Sequence, residues 1–222
     1  KRGMYDNELE VSVGAEGKLI VGIRNETAQG SQGITYAGFD NFRLTYISTE
    51  VQEKTETEDV ETLEDFIAQA NAYKAIAAQV NDHAAFDDVY TASMAVYNNA
   101  EASEEAIAEA RKNLMDAFGT LLKTGEPQTG QFDLTDLIVN PTFNKNADGW
   151  KMDNKVFKQN SIGVLQGQNI TDGVQMTQVL KGMPAGKYTL KVQGFYQAQA
   201  WKQALYDREH GKEEGKLSLL FN

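Results

Sequence analysis

The chain has 222 residues, no cysteine, two histidines and a formal net charge of −11. That length suits one large domain or two modest ones, and the missing cysteine excludes a disulfide framework, a thiolate zinc site and a cysteine nucleophile. No apolar run approaches the roughly 20 residues of a membrane-spanning helix, and the acid excess argues against nucleic acid as a partner.

The first stretch of the chain reads as strands. Glu8 to Val13 alternates, Lys18 to Arg24 alternates around Leu19 and Val21 or Ile20 and Ile23, and Ala15-Glu16-Gly17 makes the turn between them. A polar, Gly-rich loop from Gln29 to Gly33 leads to a last strand, Phe39 to Tyr46, in which Phe42, Leu44 and Tyr46 share one face. Standing alone, these strands would leave a sheet face and its edges uncovered.

The whole net charge falls on residues 49–124, which hold only one of the 19 glycines, Gly119, and none of the three prolines. The spacing there predicts three amphipathic helices packed as an antiparallel bundle. The first face carries Leu63, Phe66, Ile67, Ala70, Tyr73, Ile76, Ala77 and Val80. Asn81 or Asp82 is expected to cap the second helix, whose face carries Phe86, Val89, Tyr90, Ser93, Val96 and Tyr97. Ser103 caps the third, its face carries Ile107, Ala110, Leu114, Ala117, Phe118 and Leu121, and Gly125 stops it. The acids of this segment form no Asp-x-Asp-x-Asp-Gly calcium loop and read as a solvated face. His83 has no acid at ligand spacing and reads as a turn or capping residue.

Strands return after the helices. Gln175 to Leu180 and Lys187 to Tyr196 alternate, joined by the turn Lys181-Gly182-Met183-Pro184-Ala185-Gly186. Met176, Gln178 and Leu180 lie on one side of the first, and Tyr188, Leu190, Val192, Gly194 and Tyr196 on one side of the second. Leu217 to Asn222 looks like part of another strand.

Several motifs resemble galactose-binding-like jelly rolls, the superfamily of carbohydrate-binding modules in large secreted bacterial glycan-handling proteins. Asp133 to Asn140, Asn140-Pro141-x-Phe143 and Asp148-Gly149-Trp150 resemble the opening of such a module. Met183-Pro184-Ala185-Gly186-Lys187-Tyr188 with Gln193-Gly194-Phe195-Tyr196 resembles its middle. Asn7 to Val13, Gly17 to Ile23 and Phe39 to Tyr46 resemble its closing strands, and the helices resemble small bundles of the FIVAR kind. The resemblance implies a multidomain α and β chain. Residues 1–48 would be the C-terminal half of an antiparallel β-sandwich, 49–125 a three-helix bundle and 126–222 the N-terminal half of a sandwich.

The closing half thus precedes the opening half. Either the chain spans the end of one module and the beginning of the next, or the flanks complete one sandwich as in a circular permutation. The two flanks together have the size of one β-sandwich, so they are expected to pair, within one chain or with a second copy by strand exchange.

For function, the resemblance implies a non-catalytic, lectin-like module of an extracellular or cell-surface bacterial protein. Its export signal is expected outside this chain, since Lys1-Arg2-Gly3-Met4 lacks a signal peptide's apolar stretch. A sugar needs an exposed aromatic face and groups for its hydroxyls. Trp201, with Tyr196, Gln197, Gln199, Tyr206 and Arg208, is the candidate glycan site; packing of Trp201 against an amphipathic insertion is the competing reading. Trp150 reads as a core residue.

Related modules hold a structural calcium through an acid just after the Asn-Pro-x-Phe motif and another in the last strand. Asp40 fits the second place but Asn144, a weaker ligand, stands at the first, so no metal and no cofactor are expected. Neither His83 nor His210 has the setting of a catalytic triad, and no carboxylate pair stands out, so no enzyme is expected. The alternative function is a structural stalk or adhesin repeat without a small ligand.

Overall fold

Alternating strands, which have one apolar face each, must bury that face, and here they do so across a long gap in sequence. The computed structural model describes residues 5–14, 17–26, 34–48, 62–144, 146–152, 157–159, 165–170, 175–197 and 216–221. Strands β1 (Tyr5–Val13), β2 (Leu19–Glu26) and β3 (Ile34–Ser48) precede helices α1 (Leu63–Ala77), α2 (Ala84–Tyr97) and α3 (Glu104–Thr124). A 3-10 turn at Thr135–Leu137 follows. Then come β4 (Lys151–Met152), β5 (Phe157–Gln159), β6 (Leu165–Ile170), β7 (Gln175–Leu180), β8 (Gly186–Gln197) and β9 (Lys216–Phe221).

The strands form two antiparallel sheets, of order β1-β8-β3-β6-β5 and β4-β7-β2-β9. Strands from before the helices therefore pair with strands from after them, in one chain. Val11, Val13, Phe42, Leu44, Tyr46, Tyr188, Leu190 and Val192 of the larger sheet share one core with Leu19, Val21, Ile23, Met176 and Leu180 of the smaller. Each such side chain contributes on the order of 1.5–3 kcal/mol through its burial.

Neither of the two expected turns closes a hairpin. β1 and β2 lie in different sheets, as do β7 and β8, so both connections carry the chain from one sheet to the other. The two corners lie side by side, with the Met183 N–H donating to the Gly17 carbonyl at 2.7 Å. Gly17 and Gly182 have φ of +66° and +65°, which an L side chain adopts only at a cost. The residues that signal a tight turn serve a sheet-switching corner equally well.

The helices dock on those corners. Tyr73 of α1 donates its hydroxyl to the Gly182 carbonyl and Gln69 donates its amide to the Lys181 carbonyl. Its ring stacks on Phe118 of α3 at 4.0 Å. A Cβ at Gly182 would stand 2.6 Å from the Tyr73 hydroxyl, so the position needs glycine for space as well as for φ. Further along, the Gln79 side chain clamps the Asp133 backbone, donating to its carbonyl at 2.7 Å and accepting from its N–H at 2.9 Å.

Thr62 and Asp65 form a capping box at the start of α1. Ser103 caps α3 by accepting from the Ala106 N–H. The cap position of α2 falls on His83 instead of Asn81 or Asp82, and its side chain makes no capping hydrogen bond. His83 Nδ1 instead lies 3.0 Å from Asp87 Oδ1, which Lys74 approaches at 2.5 Å. The Lys74 ammonium above all, and His83 with it, holds the Asp87 carboxyl below its ordinary range. Gly125 stops α3 in an extended conformation, φ −75° and ψ 147°. Among the described residues, no helix is long and apolar enough to cross a membrane.

Candidate binding surface on the five-stranded sheet

Of the residues proposed for a glycan site, Gln199, Trp201, Tyr206 and Arg208 lie outside the described residues, as does His210. Tyr196 and Gln197 end β8, where they pair through the backbone with Ala37 and Tyr36 of β3. Tyr36 in turn pairs with Gln168 of β6, which puts Gln197, Tyr36 and Gln168 in one row across three strands.

The outer face of the same sheet carries a polar network that the sequence reading missed. It begins with a bulge in β3. Asp40 pairs with Gln193 but Arg43 pairs with Lys191, so β3 spends one residue more than β8 over this interval. Asn41 takes a φ of +56°, a conformation asparagine tolerates better than most residues. The extra residue keeps Phe39, Phe42, Leu44 and Tyr46 all buried, although Phe39 and Phe42 are three apart. Phe39 also covers Gly194, where a Cβ would meet its ring at 2.8 Å.

From the bulge, side-chain hydrogen bonds run across three strands. Arg43 Nε donates to Asn41 Oδ1 at 3.2 Å, Asn41 Nδ2 to Gln193 Oε1 at 3.3 Å, and Gln193 Nε2 to Asp6 Oδ1 at 2.9 Å. All donors point one way, toward the Asp6 carboxylate, so each bond polarises the next. Asp40 accepts from the Asn41 N–H at 2.7 Å, yet its partial burial raises its carboxyl above the ordinary range. Beside the network, Lys191 and Glu8 form an exposed ion pair at 2.9 Å, worth about 0–1 kcal/mol. The legible signal was Phe39-Asp40-Asn41-Phe42: a step of three between apolar residues, with Asn inside it, marks a bulge.

Trp150 is buried and offers no platform. Its Nε1 donates to the Val139 carbonyl at 2.8 Å, and its ring packs on Phe42 at 4.6 Å and Phe143 at 5.3 Å. The loop that holds it is fastened by Gln178 of β7, whose amide accepts from the Val139 N–H at 2.8 Å. The same amide donates to the Val139 and Gly149 carbonyls, each at 3.1 Å.

The two places implied for calcium make local hydrogen bonds. Asn144 turns its Nδ2 to Thr142 Oγ1 at 2.8 Å, and an Asp40 oxygen is engaged by the Asn41 amide. Among the described residues, no three His, Asp or Glu side chains gather as ligands of a metal would. Compared with models of protein families, with curated proteins and with solved structures, the chain finds no match.

Proposed function

We propose that the chain is a non-catalytic carbohydrate-binding module, with its ligand met on the outer face of the five-stranded sheet. The reading takes the two sheets as leaves of one jelly-roll sandwich completed by both flanks, and the helices as a three-helix bundle set between them. The observation that carries it is the network Arg43–Asn41–Gln193–Asp6. It lines up a guanidinium, two amides and a carboxylate, the groups that pair with vicinal hydroxyls, on a rigid sheet. The motif resemblance supports the same reading and adds an extracellular or cell-surface bacterial setting.

A glycan panel probed with the purified chain tests it. The expected result is binding of at least one oligosaccharide that weakens at least tenfold in Asn41→Gly, which keeps the bulge and removes the amide. Binding lost in Trp201→Ala but untouched in Asn41→Gly moves the site to the residues after β8. A panel without any binder leaves the second reading, a structural stalk or adhesin repeat. That reading is favoured by the clamping of Gln69 and Tyr73 onto the Lys181–Gly182 corner and of Gln79 onto the Asp133 backbone, which makes a stiff unit without any ligand.

A further inference from the structure

The helical part carries a surface that neither function uses. On α2 and α3 lies an open groove of about 610 Å³ with a floor of Val89, Ala92, Ser93, Val96, Ala106 and Ala110. The small residues explain it. Ser93 donates its hydroxyl to the Ala110 carbonyl at 3.1 Å, so the two helices approach closely, and among the described residues no large side chain fills the furrow above them. The aromatic residues of the unit lie elsewhere, in the packing of Tyr73, Phe86 and Phe118. The groove's rim is acidic, with Asp88, Glu109 and Asp116, the last bridged to Lys112 at 2.6 Å.

We infer that this groove docks a basic amphipathic helix of a partner protein. An apolar stripe fits the floor of small residues, and Lys or Arg beside the stripe meets the acidic rim. A second copy of the chain is a poor occupant, because it would set the same acidic surface against this one within a segment that carries the whole charge of −11. Helix α2, of 14 residues, is about 21 Å long, so the groove accepts about four turns of a partner helix.

The test titrates the full chain with a labelled synthetic peptide of about 18 residues, about 27 Å as a helix, with Leu and Ala on one face and Lys on its flanks. Fluorescence anisotropy is expected to report a Kd on the order of micromolar that rises with salt. Asp88→Lys/Glu109→Lys, both at exposed positions, is expected to weaken binding at least tenfold. Glu126→Lys/Asp136→Lys makes the same charge change away from the groove and is expected to weaken it less than threefold. Ala92→Gln crowds the groove without altering charge and is expected to cost at least fivefold. A scrambled peptide without an apolar face is expected to bind at least tenfold more weakly. No binding, equal losses in both charge variants, or equal binding of the scrambled peptide overturns the inference. So does dimerisation of the free chain that Ala92→Gln abolishes, since the occupant is then a second copy.

Discussion

Gly119 of α3 lies against Pro184 at the sheet-switching corner, so close that a Cβ on the glycine would stand 3.3 Å from the proline Cβ. The one glycine of the helical segment thus meets one of the chain's three prolines where helices and sheets join. Glycine lowers helix propensity by about 1 kcal/mol relative to alanine, and close docking here offsets that.

A larger residue at this place is expected to separate the two parts. Gly119→Leu is expected to lower stability by about 1–3 kcal/mol, the usual effect of overpacking. Urea unfolding followed by far-UV circular dichroism and by tryptophan fluorescence checks it. The two transitions are expected to coincide in the parent chain and to move apart in the variant.

Gln178 supports a second prediction. Its amide is buried and makes three hydrogen bonds to the backbone of the loop under Trp150. Gln178→Leu strands those groups and is expected to cost about 2–4 kcal/mol, beyond one ordinary hydrogen bond. Red-shifted Trp150 emission and a lower urea midpoint are the expected signs; an unchanged midpoint contradicts the role given to this residue.

Three tyrosines set the alkaline limit. Burial pushes the phenols of Tyr46, Tyr97 and Tyr188 above their ordinary range, and for Tyr188 the neighbouring Tyr46 and Tyr73 add to it. A folded-state value above the unfolded one means that the folded chain keeps protons the unfolded chain releases. Stability is therefore held below about pH 10 and lost as pH rises beyond it. Absorbance at the phenolate band is expected to show Tyr188 ionising only together with unfolding. The hydroxyls themselves differ: that of Tyr46 is buried with no partner among the described residues, whereas that of Tyr188 donates to the Pro184 carbonyl. Tyr46→Phe is expected to leave stability unchanged or raise it by up to about 1 kcal/mol, and Tyr188→Phe to lower it by about 1 kcal/mol.

The bulge at Asn41 gives the fourth prediction. Asn41→Val places a β-branched residue at φ +56° and is expected to cost about 1–2 kcal/mol or more. Asn41→Gly is expected to cost less than half as much, since glycine adopts that φ without strain. Equal losses in thermal unfolding would assign the position's importance to its amide alone.

The helices were legible because a period of three to four survives any tertiary setting. Tyr73, Ile76, Phe86, Leu114 and Phe118 are buried as their spacing requires. The strands were legible one by one, but not their partners. Glycine turns at Gly17 and Gly182 say that the chain reverses, not which sheet receives it. His83 replaced Asn81 and Asp82 at the cap because the helix start followed the docking of α2 on α1, where Lys74 meets Asp87. The polar network was hidden for another reason. It joins Asp6 to Gln193, 187 positions apart, and only the β1–β8 register brings them together.

The pairing of the flanks also governs the order in which the molecule can form. Among the described residues, strands β1, β2 and β3 have as neighbours only strands that begin at Leu165 or later. On a ribosome adding about 5–20 residues per second, β3 waits roughly 6–24 s between its own emergence and that of β6. The helices need no such delay, since their contacts are local and form in microseconds to milliseconds. They are therefore the first folded object on the chain. By presenting Gln69 and Tyr73 before the later corner arrives, they give the late strands a place to land beside three early ones that would otherwise be open to association with neighbouring nascent chains.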